Sequence, residues 1–220
     1  GASGVAEKIG RKLDIAHDKT LQRRLLKHLQ DYEQQGYVFE SAEASFELLC
    51  RRQLGLHHPF WELGHWRVVA LRSVRDRAPN TEAILKLRVA DGFEHHVSPG
   101  HGPVDAMANA FLKALKPYYP GVEHVRLIDY KVRVINPRAA TAAKVRVTIE
   151  FLDAETHEIY GTVGVSENII EASWQALVDG FEYKLINDED RARKTASPNT
   201  APAGRAARPR RTKRRPTGRS

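Results

Sequence analysis

The sequence predicts an α+β protein: a small helical unit, then two pseudo-symmetric copies of a strand–strand–strand–helix (βββα) module, then a basic tail. Three observations carry this prediction. First, the run from Tyr160 to Phe181 alternates small and β-branched residues through Gly161, Thr162, Val163, Gly164 and Val165. It then spaces Ile170, Trp174, Leu177, Val178 and Phe181 along one helical face. Second, the run from Val97 to Leu115 repeats that pattern. With Asp105-Ala106 set over Glu171-Ala172, Val104 falls on Ile170, Ala110 on Ala176, Phe111 on Leu177 and Leu115 on Phe181, without a gap. Third, the strands ahead of these helices pair up: residues 68–77 match 129–138, with Arg72 over Arg133 and Arg77 over Arg138. A repeat of this kind constrains the architecture strongly.

Each element follows in order. Residues 5–13 form a short helical candidate. Leu21, Leu25, Leu26, Leu29 and Tyr32 make one face of a second helix that ends near Gly36. Ala42, Ser45, Phe46, Leu49 and Cys50 make one side of a third, ending before Gly55. This unit, residues 1–56, has too few large apolar side chains to stand alone and must pack on something. His57-His58-Pro59 breaks the helix, and Phe60-Trp61 starts or plugs the sheet region. Strands are expected over 66–74, 81–89 and 93–97, with Asp91-Gly92 as a hairpin turn. A helix follows from Pro103, a residue favoured in a first turn, to Leu115. After a rigid connection over 117–121, the second copy places strands at 125–135, 142–152 and 159–165, with a longer hairpin loop from Asp153 to Glu158. Its helix covers 168–186, capped by Ser166 or Asn168. The expected sheet-bearing body is 57–187, divided as 57–121 and 122–187. Residues 188–220, rich in Arg, Pro and Ala, are expected to be disordered because they offer too little apolar surface to offset ordering.

The net charge of +8 is misleading. After Asp190 come nine Arg, two Lys and no acidic residue, which leaves −3 on the first 190 of the 220 residues. The body is mildly acidic, so nucleic acid is not an expected partner of the fold, and a nucleic-acid reading rests on the tail alone. No apolar run reaches the length of a membrane span. The single cysteine, Cys50, excludes an internal disulfide and fits a reducing cytoplasm. Among Phe46, Leu48 and Leu49 it reads as a buried, inert thiol.

Chemistry is sparse. His57, His58, His65, His95, His96 and His101 lack the spacing of metal ligands, and His95 and His96 point to opposite faces of a strand. Gly100-His101-Gly102-Pro103 opens a helix but has no Lys-Ser/Thr after it. It suits a close backbone contact or a small carboxylate better than a nucleotide. The turn Ser166-Glu167-Asn168 offers amides of the same kind. Ser41, Ser45 and Ser173 lie on helices without a nucleophile elbow, and Asp129, Glu150 and Glu171 are scattered. These residues describe a binding and assembly module more than an enzyme.

Longer motifs carry a resemblance. D-Y-K-V-R-V-I from Asp129, T-A-A-K-V-R-V from Thr141 and G-T-V-G-V-S-E-N-I-I-E-A-S-W-Q-A-L-V-D from Gly161 closely resemble the C-terminal part of bacterial citramalate synthases. These are enzymes similar to 2-isopropylmalate synthases. G-H-G-P-V-D-A from Gly100 and G-Y-V-F-E-S-A-E-A-S-F-E-L-L from Gly36 extend the match over about residues 1–187. The resemblance implies a linker subdomain and a regulatory domain belonging to an acyltransferase of isoleucine and leucine biosynthesis. A (β/α)8 barrel elsewhere would condense acetyl-CoA with pyruvate, using a divalent metal. On this expectation the chain begins inside the linker and carries no catalytic residue, metal ligand or cofactor of its own. The implied partners are a second copy in a homodimer, the catalytic barrel and a branched-chain amino acid effector, isoleucine or leucine. The implied effector site comprises Asn136, Arg138, Ala139, Ala140 and Thr141 in one turn, with Gly161, Val163, Gly164, Val165, Asn168, Ile169 and Ile170 at the strand-to-helix turn. The alternatives are a non-catalytic dimerisation module and nucleic-acid binding through the tail.

Overall fold

The computed structural model describes residues 2–15, 17–74, 80–135 and 143–196. Three helices come first: α1 (Ala2–Lys12), α2 (Lys19–Gln34) and α3 (Glu43–Gln53). Then β1 (Glu62–Leu71), β2 (Asn80–Val89), β3 (Gly92–Gly100) and α4 (Pro103–Leu115) form one module. A 3-10 turn (Pro120–His124) leads to β4 (Val125–Val134), β5 (Val145–Asp153), β6 (Glu158–Ser166) and α5 (Ile169–Ala196), which form the other. Each sheet is antiparallel in sequence order, β1-β2-β3 and β4-β5-β6, so each module is a meander closed by a helix, as expected.

The register refines the repeat. β1 slips against β2 between Leu63 and His65, and β4 slips against β5 between Leu127 and Asp129. These matched bulges set Gly64 over Ile128 and Val68 over Val132, not over Asp129 as the strand comparison suggested. The sequence match was three residues out because Arg72 and Arg133 lie outside the hydrophobic pattern that sets register. In β2 and β5 the buried residues then coincide: Ala83, Leu85 and Leu87 with Val147, Ile149 and Phe151. β1 also starts earlier than expected, since Glu62 and Leu63 already pair with Arg88 and Leu87. The arginines expected to match, Arg77 and Arg138, lie outside the described residues.

One core joins both modules. Phe111 of α4 meets Phe181 and Trp174 of α5 edge-on, at 4.9 and 5.2 Å between centroids. Trp61 closes the same cluster against Phe111 at 4.8 Å. Each helix covers its own sheet and also reaches toward the first strand of the other module. Trp174 of α5 lies 6.2 Å from Trp66 on β1.

The helical unit rests on the second module, with α3 packed against both β6 and α5. Val163 and Val165 of β6 are buried in a separate cluster with Phe39, Ala42, Phe46 and Leu49. At Gly161 the chain leading into α3 comes very near: a Cβ there would lie 1.8 Å from the Ser41 carbonyl oxygen. Cys50 is buried in this interface, and burial with Glu47 nearby pushes its thiol up to about 12. By register, His95 and Val97 of β3 match Gly161 and Val163. Among the described residues no helix covers them: Val97 is 52% and its neighbour Phe93 74% exposed.

α5 continues to Ala196, well past the expected end at Ile186, so 188–196 is helix rather than disordered tail. The polar residues there are held by charge. Asp190 accepts from Arg51 of α3 at 2.6 Å, and Arg191 and Arg193 pair back with Asp188 and Glu189 at helical spacing. The rest of the basic tail, 197–220, lies outside the described residues. Among the described residues no helix is long and apolar enough to cross a membrane.

Candidate functional site

The Ala108 position opens a spacious cavity in the body. In the helix alignment Ala108 stands where α5 has Trp174, and by strand register Tyr130 of β4 stands where β1 has Trp66. On one side of the molecule the two tryptophans fill the gap between helix and first strand. On the other side Ala108 leaves it open. The result is a cavity of about 710 Å3 lined by Val104, Ala108, Leu112, Leu127, Tyr130 and Ile170 among others. Its size and apolar walls suit a small ligand.

The polar groups around this cavity are few. The first turn of α4 borders it through Gly102, Pro103, Val104 and Asp105. Gly102 is the N-cap and no side chain caps this end, so its amides and the positive end of the helix dipole face an incoming anion. The Asp105 carboxylate accepts from the His101 amide at 2.9 Å and supplies the negative counterpart. Arg126, also in the lining, is anchored by Nη1 to the carbonyls of Glu123 and Val125. Tyr130 and Ser173 share a hydrogen bond of 3.0 Å. The lining thus combines a helix start, one carboxylate, one guanidinium and apolar walls.

The sequence-derived site residues divide among several places. Ile169 and Ile170 line this cavity. Asn168 caps α5, its Oδ1 accepting from the Ile170 amide at 2.8 Å and the Glu171 amide at 3.4 Å. The α5 end is therefore not the open anion site that its turn suggested. Val163 and Val165 point instead into the helical unit. Gly161 and Gly164 serve close packing, Gly164 because a Cβ would lie 2.0 Å from the Ala172 carbonyl oxygen. Asn136, Arg138, Ala139, Ala140 and Thr141 lie outside the described residues. Sequence reasoning missed Ala108, Asp105, Arg126 and Tyr130. The Ala108–Trp174 mismatch, inside helices that otherwise agree, was the available signal.

Three carboxylates also converge at a second place. Asp153, Glu155 and Asp188 have oxygens within 4.8 Å of one another. The Lys184 ammonium sits among them, 2.8 Å from Asp153 and 3.0 Å from each of the others, so a protein cation already fills the place of a metal.

Comparison with known proteins bears on this geometry. Residues 40–185 match the model of the LeuA allosteric (dimerisation) domain. The (R)-citramalate synthase of Geobacter sulfurreducens is 44% identical over 185 residues, covering 84% of this chain and 34% of its own length. That of Aquifex aeolicus is 46% identical over 168 residues, covering 76% and 31%. The 2-isopropylmalate synthase of Aquifex aeolicus is 31% identical over 107 residues, covering 49% and 19%. The chain thus spans about a third of the length of the citramalate synthases it matches.

Proposed function

The chain belongs to the LeuA allosteric (dimerisation) domain family, and from that premise we propose that it is the feedback-sensing part of a citramalate synthase. It forms a homodimer and takes a branched-chain amino acid, isoleucine or leucine, in the cavity beside Ala108. The activity it serves is the condensation of acetyl-CoA with pyruvate. The observation that carries the reading is the cavity itself. The start of α4 meets the ligand carboxylate with Arg126 in support, Asp105 meets the ammonium, and Val104, Leu112, Leu127 and Ile170 surround the branched side chain. Because both α4 and β4 wall the cavity, a ligand bridges the two modules. It can therefore shift the equilibrium between their arrangements by as much as its affinity differs between them.

Isothermal titration of the 220-residue chain with L-isoleucine, L-leucine and L-alanine tests this reading. Saturable heat is expected from a branched-chain amino acid and not from alanine, with sedimentation velocity reporting a dimer. A folded dimer that gives no heat with any branched-chain amino acid overturns it.

A further inference from the structure

A second cavity, of about 300 Å3, lies where the helical unit meets α5 and β6, away from the Ala108 site. Its walls are aromatic: Tyr32 in the last turn of α2, Tyr37 and Phe39 in the segment beyond it, and Trp174 of α5. Tyr32 and Tyr37 meet edge-on at 5.0 Å, and Tyr37 stacks on Phe39 at 5.9 Å. Glu171 and Asp179, two turns apart on α5, bring carboxylates to the same space.

The charges in this cavity are unequally committed. Arg52, the one cation among the lining residues, is held by Asp179 at 3.0 Å and by Glu182 at 2.6 Å. Two carboxylates already neutralise it, so it has little left for the acid group of a ligand. Glu171 is different. Gln175 donates to one of its oxygens at 3.3 Å, and among the described residues no ion pair involves it. Gln175 is fixed in turn, its Oε1 accepting from the Tyr37 hydroxyl at 3.2 Å and from the Val165 amide at 3.0 Å. One oriented carboxylate without a counter-ion, in front of a cluster of aromatic rings, is the chemistry that selects a cation.

We propose that this cavity binds a small organic cation, an ammonium on a short apolar stem, with Glu171 as its counter-ion and the Tyr32, Tyr37 and Trp174 rings as its walls. Anions meet excess negative charge, and zwitterions find no uncommitted cation. Burial holds the Asp179 carboxyl above its usual range, and a second cation nearby eases that cost. Because the walls come from both the helical unit and α5, the bound cation fastens one to the other. This makes it a regulatory site separate from the amino acid site.

The experiment is calorimetric titration of the full chain with n-butylammonium, with n-butanol as the neutral isostere and butyrate as the anion. The amine binds saturably, and the alcohol and acid bind at least about tenfold more weakly, as expected for a combined ionic and cation–π contact. Glu171→Gln loses about tenfold in amine affinity, and Tyr32→Leu, which keeps apolar bulk without a π face, loses several-fold. The response to L-isoleucine is unchanged in both, which separates this site from the first. If Glu171→Gln fails to fold, Tyr32→Leu decides. Equal binding of amine and alcohol, undiminished amine affinity in a folded variant, or no saturable amine binding by the parent overturns the proposal.

Discussion

The Ser45 hydroxyl on α3 accepts a hydrogen bond from the Val163 amide on β6 at 2.9 Å, a side chain of the helical unit completing the edge of a sheet in the second module. It works with the contact beside it, where Gly161 lets the Ser41 carbonyl approach to a distance that no side chain tolerates. Gly161→Ala is therefore expected to push α3 off the sheet. The cost is about 1–3 kcal/mol of overpacking, read as a lower urea midpoint and as faster amide exchange in α1–α3 than in α4. Gly4→Ala in α1 meets nothing within 4 Å and should be neutral or slightly stabilising, because alanine favours helix. Equal effects from the two variants would refute the account of this junction.

Ala108→Trp should copy the filled side of the molecule onto the open one. Position 108 matches Trp174, and the indole would occupy the space between α4 and Tyr130. The expected result is loss of branched-chain amino acid binding in calorimetry, with the fold retained by circular dichroism. The converse, Trp174→Ala, removes a buried side chain from the core and should cost about 3–5 kcal/mol.

Lys184 is 1% exposed and its ammonium is shared by three carboxylates. Lys184→Met leaves the buried Asp153 carboxylate with only the more exposed Arg191, at 3.7 Å, as counter-ion, at an expected cost of about 3 kcal/mol. The vacated space is bounded by three carboxylates within 4.8 Å, so millimolar calcium should recover part of the loss in the variant and do nothing for the parent. Thermal denaturation with and without calcium reads both effects.

The pH response has two opposing parts. Burial alone would raise the Asp153 and Glu182 carboxyls. The hydrogen bonds from Lys184, the Glu155 amide and Thr156 in the first case, and from His57 and Arg52 in the second, outweigh it and hold both below their usual range. Their stabilisation is full above the unfolded carboxylate values near about pH 4 and is lost as pH falls through the folded values. Asp179 has the reverse sign, since burial raises it. Its contribution is full below its unfolded value and is lost as pH rises through the folded one. Asp179→Asn should therefore gain on the parent as pH rises from about 3.5 to 7. Parallel urea midpoints across that range would contradict this assignment.

The repeat was legible because it resides in apolar spacing. Val104, Ala110, Phe111 and Leu115 match their counterparts in α5, and the buried faces of β2 and β5 follow from alternation alone. The register of the first strands was not legible, because the bulges at Gly64 and Ile128 turn on a backbone slip that alternation does not encode. The end of α5 was hidden for a related reason: Asp188, Glu189 and Asp190 read as tail until Arg51, from a distant helix, is placed beside them. The candidate site divides the same way. Ile169 and Ile170 were visible from the motif. The cavity depends on what Ala108 lacks, and Glu171, scattered in the sequence, gains its meaning only from Tyr37, Gln175 and Trp174 around it.

The three leading helices cover one copy of a duplicated plan and leave its twin bare. Matched positions thereby acquire different tolerances. Any side chain added at Gly161 meets the Ser41 backbone ahead of α3 and Val163 is buried in the helical unit's cluster, whereas His95 and Val97, their counterparts, are exposed. A saturation library would score the two halves as unlike: permissive on the outer side of β3, closed on the outer side of β6.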